Sequence, residues 1–217
     1  LKYVSNVKIS PKGNKIAYLV NFKDILTDQS YSNLWIIDVD GSNNQQITNG
    51  NFNDAGHSWS NKGDKLAYKS NKDGKTKIYI RDVNKDMETT ITNIIEYPGT
   101  LVWSPDDTRL AFDMFVPKPQ KTFFELPKKP SNATWNAPPV YIDILPYRND
   151  GSGYIKSGHR QLFVTQVSGG EPSQITYDNF NHGSPEWFLD GQSLISFGLI
   201  RDSGTDEPMN TDIYKIE

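Results

Sequence analysis

Residues 59–68 read WSNKGDKLAY, and three variants of this phrase occur elsewhere in the chain. They are ISPKGNKIAY at 9–18, WSPDDTRLAF at 103–112 and WFLDGQSLISF at 187–197. The first three phrases start 50 and 44 residues apart, and the fourth follows after 84 residues, about one repeat plus an insertion. A phrase that returns in this way indicates a repeat architecture, in which every unit folds in the same way. The recurring phrase therefore predicts the fold before any single residue does.

Each phrase predicts two β-strands joined by a tight turn. Proline presets φ, Asp or Asn binds its own backbone, and Gly accepts a positive φ, so Ser-Pro-Asp-Gly-like sequences favour such turns. A third strand, rich in β-branched and aromatic residues, follows in each unit at 34–39, 77–83, 161–167 and 212–216. Short fourth strands are predicted at 45–48, 87–92 and 173–176, two of them after Gly-containing hairpin turns.

Four short antiparallel strands in each repeated unit are typical of a β-propeller blade. We therefore predict an all-β fold, a β-propeller of four-stranded antiparallel blades, with about four blades present as part of a larger propeller. The predicted blades are 1–50, 51–96, 97–178 and 179–217, the last without a fourth strand. A β-sandwich with recurrent turns is the alternative fold, but a sandwich has no reason to repeat one phrase at blade spacing.

The composition excludes several classes of function. A net charge of −3 and a pI of about 5.7 provide no basic field for nucleic acid. No apolar stretch reaches the ~20 residues of a membrane span. The chain has no cysteine, which excludes disulfides and thiolate chemistry. It begins at Leu1 without a signal peptide, so we expect a soluble protein with a trimmed N-terminus and leave its compartment open, cytoplasmic or periplasmic/secreted.

Neither a metal nor another cofactor is predicted. The histidines are His57, His159 and His182, which lack His-x-x-His or His-x-His spacing and do not share a position in the repeat. We expect them to form hydrogen bonds where the chain enters a blade. A metal-dependent sugar-lyase propeller, whose histidines cluster around a metal, is the least favoured of three functional hypotheses.

An insertion interrupts the third blade at about 116–158. It holds seven of the 13 prolines and a group of lysines, and long insertions in compact domains are usually functional or disordered. Within its stretch 140–155 we single out Tyr147, Arg148, Asp150 and Tyr154 as candidate substrate- or partner-binding residues, because arginine and tyrosine suit carboxylate and carbonyl recognition. The alternative is a β-excursion in which Arg148 and Asp150 form a local ion pair.

These features resemble the N-terminal propeller of the prolyl oligopeptidase class of serine peptidases, in particular its acylaminoacyl-peptidase and dipeptidyl-peptidase-like branch. The resemblance covers essentially the whole chain. It rests on the repeated phrases, on YRNDG at 147–151 with the Gly-Tyr pair at 153–154, and on QLFVTQVSGGEPSQIT at 161–176. The phrases alone are shared with TolB-like propellers, so the YRNDG segment favours the peptidase.

The resemblance implies that this domain is non-catalytic and controls which substrates reach a catalytic partner domain. In this class a propeller caps an α/β-hydrolase domain whose nucleophile lies in a Gly-x-Ser-x-Gly motif, and the present chain contains no such motif. No catalytic residue is therefore expected here. The implied partners are the α/β-hydrolase domain of the same protein and short peptide substrates. A TolB-like protein-interaction propeller without enzymatic activity is the alternative function.

Overall fold

The computed structural model describes residues 1–119, 127–136, 139–142, 147–151, 153–199 and 211–217, and every regular element in these residues is a β-strand. The strands are β1 (Lys2–Ile9), β2 (Lys15–Asp24), β3 (Gln29–Asp38), β4 (Gln45–Gln46), β5 (Asp54–Trp59), β6 (Lys65–Ser70), β7 (Lys77–Asp82), β8 (Met87–Ile91), β9 (Val102–Trp103), β10 (Arg109–Pro117), β11 (Arg148–Asn149), β12 (Gly153–Tyr154), β13 (Gly158–Gln166), β14 (Ser173–Gln174), β15 (His182–Trp187), β16 (Leu194–Gly198) and β17 (Asp212–Ile216). The predicted all-β class is confirmed.

Four antiparallel sheets form the blades. Blade one is β1-β2-β3-β4, blade two is β5-β6-β7-β8, and blade three is β9-β10-β13-β14. Blade four is β15-β16-β17, so it has three strands among the described residues. The connection between β10 and β13 covers 118–157 and carries the separate two-stranded ribbon β11-β12.

The recurring phrase folds into the same turn in each blade. In blade two the Ser60 hydroxyl accepts a hydrogen bond from the Lys65 amide at 3.0 Å and donates one to Asp64 at 2.9 Å. The Gly63 amide donates to the Ser60 carbonyl at 2.9 Å, and Gly63 takes a positive φ of 64°. Asp107 holds this position in blade three with a φ of 62°. Side-chain hydroxyl and carboxylate groups thus form hydrogen bonds that backbone groups in a tight turn cannot make with one another, and in this way the sequence specifies the turn.

Successive blades are joined by the tryptophan that opens the second, third and fourth phrases. The indole Nε1 of Trp59 donates to the carbonyl of Lys8 in blade one at 3.1 Å. Trp103 and Trp187 repeat this bond to Ser58 and Val102 of the preceding blade, at 3.0 and 3.2 Å. Because each indole is largely buried when it reaches back, the tryptophan fixes one blade against the next.

Three apolar cores fill the spaces between neighbouring blades. Large side chains from facing sheets interlock there, and each fully buried one contributes about 1.5–3 kcal/mol. Principal members are Leu34, Leu66 and Tyr68 between blades one and two, Ile78, Phe112 and Phe163 between blades two and three, and Ala111, Leu162 and Leu194 between blades three and four.

The strand order gives each blade two distinct ends. The phrase turns, such as 10–14 and 60–64, lie at one end, which we call the phrase end. The opposite end, which we call the insertion end, carries the 118–157 connection and the links from one blade to the next, 47–53, 92–101 and 175–181. Antiparallel strands in a constant order require this separation. The insertion therefore lies at the same end as the connections between blades.

Candidate functional site

The residues singled out from the sequence lie on the β11-β12 ribbon. Arg148 is opposite Tyr154 in the strand register, and the Ile155 amide donates to the Tyr147 carbonyl at 2.9 Å. The rings of Tyr147 and Tyr154 pair with their centroids 6.4 Å apart. Asp150 lies in the turn between the two strands. The structure thus brings the two tyrosines and the arginine together on one exposed hairpin.

The ribbon side chains face solvent. Tyr147 and Tyr154 are 44% and 56% exposed, and Arg148 and Asp150 are exposed as well. Within the described residues, no ion pair joins Arg148 to Asp150, so the alternative of a local ion pair has no support there. Positions 143–146 and 152 of the predicted stretch lie outside the described residues. The proposed binding role of the four side chains stays a prediction.

A cavity of about 460 Å³ lies at the insertion end, between blades three and four. Its lining comes from the link into blade three, from β10 and β13, and from the ends of β15, β16 and β17. None of the four ribbon residues lines it. The lining residues are Gly99, Thr100, Asp113, Arg160, Asn181, His182, Gly183, Ser184, Phe197, Gly198, Leu199 and Thr211.

An ion pair forms the blade-three wall of this cavity. Asp113 on β10 and Arg160 on β13 are diagonal neighbours on one face of the sheet, because Asp113 is opposite Leu162 and Phe115 is opposite Arg160. The Arg160 Nε donates to Asp113 Oδ2, and Nη2 donates to the Asp113 carbonyl at 3.3 Å. The Asp113 side chain is only 8% exposed while that of Arg160 is 38% exposed. The carboxylate is therefore inside the wall, and the guanidinium reaches its surface.

A buried lysine supports the same wall from blade two. Lys69 donates through Nζ to the carbonyls of Pro98 and Gly99, at 3.2 and 3.1 Å, and its ammonium lies 4.6 Å from the centroid of the Tyr97 ring. Burial lowers the pKa of Lys69, while the nearby Asp113 carboxylate opposes this shift. The ammonium therefore holds the link between blades two and three in place.

Glycine is required where this link passes the ion pair. A Cβ added at Gly99 would lie 2.0 Å from the Asp113 Oδ1, closer than any real contact. The Gly99 amide also donates to the Asp113 carbonyl, at 2.6 Å. Any side chain at this position would displace the carboxylate that positions Arg160.

The blade-four wall is built on a histidine and an asparagine. His182 is buried, and its Nε2 lies 2.9 and 3.1 Å from the two carboxylate oxygens of Asp178. The Asn181 Oδ1 accepts a hydrogen bond from the Arg160 backbone amide at 2.8 Å, which joins the two walls. The expectation of hydrogen-bonded histidines at blade entrances is met at His182. It is wrong at His57, whose two buried ring nitrogens have no hydrogen-bond partner among the described residues.

The cavity residues were not predicted from the sequence, although one feature of the repeat indicates two of them. Lys69, Asp113 and Phe197 align with Leu19 of blade one, which is buried. A charged residue in this otherwise apolar position requires a partner. The repeat alignment alone could have identified Lys69 and Asp113 as unusual. It could not have identified Arg160, because that requires the register across a long insertion.

The side chains around this cavity are arranged to bind a ligand. Arg160 provides donors at the cavity surface, and Phe197 and Leu199 provide apolar contact. In the described part of the chain, no group of three or more His, Cys, Asp or Glu side chains could hold a metal ion. The same residues contain no helix long and apolar enough to cross a membrane.

Comparisons with known proteins support the propeller fold. The family model described as PD40, TolB beta propeller domain, matches residues 5–123. The solved structure of the acylaminoacyl peptidase of Pyrococcus horikoshii superimposes with a TM-score of 0.74 at 16% identity, over 100% of this chain and 31% of that one. The predicted propeller fold is confirmed.

Two curated relatives are peptidases. The uncharacterized peptidase YuxL of Bacillus subtilis is 24% identical over 213 residues, which is 97% of this chain and 32% of the relative. Dipeptidyl-peptidase 5 of Porphyromonas gingivalis is 34% identical over 74 residues, 34% of this chain and 11% of the relative. The chain thus spans about a third or less of the length of these relatives. Their names confirm the resemblance to peptidase propellers.

The family match covers more than half of the chain and includes three of the four phrases. The tryptophan bonds and the common turn show the same repeat in three dimensions. On this basis the chain belongs to the PD40 family of TolB beta propeller domains.

Proposed function

We propose that this chain is the substrate-gating propeller of a serine peptidase, and that an α/β-hydrolase domain elsewhere in the same protein hydrolyses the peptide. The observation that carries the proposal is the alignment with the Bacillus subtilis peptidase, which runs over 213 residues and so includes most of the insertion. The blade limits 1–50, 51–96, 97–178 and 179–217 belong to this proposal.

The insertion end is the face that would meet the hydrolase domain and the substrate. It carries the exposed ribbon with Tyr147 and Arg148, and it carries the cavity beside Arg160. Binding residues commonly lie on loops that a rigid scaffold positions. A propeller that covers a hydrolase site in this way admits short peptides and excludes folded proteins.

The chain itself contributes no nucleophile to the proposed reaction. Its 217 residues contain no Gly-x-Ser-x-Gly motif, and the segment Gly151-Ser152-Gly153 lacks one residue on each side of the serine. The role left to this domain is binding and steric selection. Peptide hydrolysis is therefore expected of the parent protein and not of this chain alone.

The gating role is tested in the intact parent protein with a double substitution on the ribbon, Tyr147→Ala with Tyr154→Ala. We expect KM for short chromogenic peptides to rise several-fold while kcat stays within twofold, because the ribbon would contact bound peptide and not the reacting atoms. Val39→Ala, an exposed apolar position at the phrase end, is the control. An unchanged KM in the double variant would show that the ribbon has no part in substrate gating.

A TolB-like interaction propeller is the second candidate, and the description of the matching family favours it. Such a protein would bind a partner protein and would have no hydrolase domain. Sequencing the parent gene separates the two functions. A hydrolase-length coding region with a Gly-x-Ser-x-Gly motif supports the peptidase, and its absence supports the interaction propeller.

A further inference from the structure

The charged side chains among the described residues that line the 460 Å³ cavity are Asp113 and Arg160. Asp113 is the carboxylate in this wall, and two cations, Arg160 and Lys69, lie close to it. Lys69 is buried and bonded to backbone carbonyls, so its charge acts through the wall. The carboxylate of Asp178, behind the opposite wall, is held by His182. Arg160 is therefore the cation whose side chain reaches the cavity surface.

Arg160 keeps part of its guanidinium for a ligand. Its Nε and Nη2 bind Asp113, while Nη1 has no hydrogen-bond partner among the described residues. The side chain is 38% exposed and lines the cavity. A planar guanidinium with one edge already fixed offers its remaining donors in a set direction, which suits a carboxylate.

Strand pairing, and not a loop, holds this arginine. Arg160 lies in β13 opposite Phe115 of β10, and its backbone amide donates to the Asn181 side chain at 2.8 Å. Groups on regular strands are positioned more accurately than groups on loops. The donor edge of Arg160 is therefore set in place before a ligand binds.

The opposite wall provides an apolar surface. Phe197 is 48% exposed although it sits within β16, and its ring lies against Gly183, where an added Cβ would be 3.1 Å away. Leu199 continues this surface. A ligand that places a carboxylate at Arg160 would lay its neighbouring side chain on this ring.

We propose that the cavity binds a carboxylate of a short peptide through the free edge of Arg160, with an adjacent apolar side chain of that peptide packed on Phe197 and Leu199. The choice of a peptide as ligand rests on the proposed function. The carboxylate belongs to the C-terminus of the peptide or to an acidic side chain, since both present the same two oxygens to the guanidinium.

Binding to the 217-residue chain tests the proposal by NMR titration with three probes. These are N-acetyl-Gly-Phe with a free C-terminus, the same peptide with a C-terminal amide, and N-acetyl-Glu-Phe amide. We expect the free acid or the Glu peptide to bind at least tenfold more tightly than N-acetyl-Gly-Phe amide, because a hydrogen-bonded charge pair is lost with the amide. Equal affinity for all three probes would overturn the proposal.

Substitutions then assign the binding to the two walls. Arg160→Gln should weaken the best carboxylate probe at least tenfold, and Phe197→Ala should weaken it several-fold. Asp113→Asn should strengthen it, because the competing negative charge is removed while the amide oxygen and the backbone carbonyl at this position still accept hydrogen bonds from Arg160 and keep its direction. This gain distinguishes recognition from damage to the fold. Arg81→Gln is the matched control, since Arg81 pairs with Asp86 away from the cavity.

Folding of each variant is checked by thermal unfolding, because Arg160→Gln leaves Asp113 buried without its partner. If Arg160→Gln unfolds, the double variant Asp113→Asn with Arg160→Gln replaces it. Unchanged affinity in a folded Arg160 variant, or weaker binding by Asp113→Asn, would contradict the proposal. Failure here leaves the gating role standing, since a hydrolase domain in the parent protein is tested independently.

Discussion

At the scale of single residues, the tryptophan that opens three of the four phrases does more than fill a core. Its indole N–H bonds a carbonyl of the preceding blade, and this happens three times, at Trp59, Trp103 and Trp187. The sequence shows that the residue recurs. It does not show the bond, because the acceptor is a backbone carbonyl whose position depends on how two sheets stack.

Trp103→Phe measures the contribution of this bond to stability. The phenyl ring keeps most of the apolar contact but leaves the Ser58 carbonyl without its donor, so we expect a loss of about 1–3 kcal/mol. The free energy of unfolding from urea titrations gives the value. Trp35→Phe is the control, since Trp35 stacks on Tyr18 and its indole forms no hydrogen bond to another blade among the described residues. A smaller loss at Trp103 than at Trp35 would refute this role.

His57 predicts a dependence of stability on pH. Burial, with the charge of Lys8 as a second cause, lowers the pKa of His57 to about 4. An unfolded histidine has a pKa near 6.5, so between pH 6.5 and 4 the unfolded chain gains a proton that the folded chain does not. Stability from this residue therefore falls as the pH drops through that window, by about 2 kcal/mol at pH 5.

His57→Leu isolates this effect, with leucine copied from the equivalent position in blade three, Leu101. Urea unfolding at pH 7 and at pH 5 is the measurement. The original chain should lose about 2 kcal/mol more than the variant between the two values. An equal loss in both proteins would show that His57 is protonated without cost when folded.

At the scale of elements, the phrase turn also bonds one blade to another. Asp107 takes the position that glycine holds in the other phrases, with a positive φ. Its carboxylate accepts hydrogen bonds from the Asn61 and Lys62 amides of blade two, at 2.7 and 2.9 Å. These bonds outweigh the backbone strain of about 1–2 kcal/mol that a non-glycine residue meets in this region.

Asp107→Gly should therefore destabilise the chain even though glycine suits the φ angle. We expect a loss of about 1–3 kcal/mol in the free energy of unfolding, because three charge-assisted bonds between blades disappear, two from the backbone amides and one from the Asn61 side-chain amide. Asp107→Asn, which keeps an acceptor oxygen, should lose less. A stabilised glycine variant would mean that the strain at Asp107 outweighs its bonds.

The individual strands were more predictable from the sequence than the pairing between strands that lie far apart in the chain. Turn residues and β-branched runs specify the strands locally, so β6, β7 and β8 were predictable from 65–91 alone. The Asp113–Arg160 pair was not predictable, because β10 and β13 meet across the 118–157 connection. Register over such a separation depends on packing and not on local preference.

At the scale of the whole molecule, blades one, two and three share a cross-strand aromatic pair. Tyr68 with Tyr79 in blade two, and Phe112 with Phe163 in blade three, are covered by the preceding blade. The equivalent pair in blade one, Tyr18 with Trp35, is only partly buried. A surface that the repeat uses for contact between blades is therefore open on blade one.

We expect the 217-residue chain to self-associate through this open face. Trp35→Lys should reduce the association measured by analytical ultracentrifugation, because a charge there opposes contact between two apolar surfaces. Tyr177→Lys, an equal change at an exposed tyrosine outside the shared pair, is the control. A chain that stays monomeric at high concentration would argue against an open face with affinity for another sheet.

The central claim is that this propeller serves a serine peptidase domain located outside these 217 residues. Its most direct test is to label the intact product of the parent gene with a fluorophosphonate probe and identify the modified residue by mass spectrometry. The account predicts one labelled serine, within a Gly-x-Ser-x-Gly motif beyond residues 1–217. No labelled serine, or a labelled serine within residues 1–217, would contradict it.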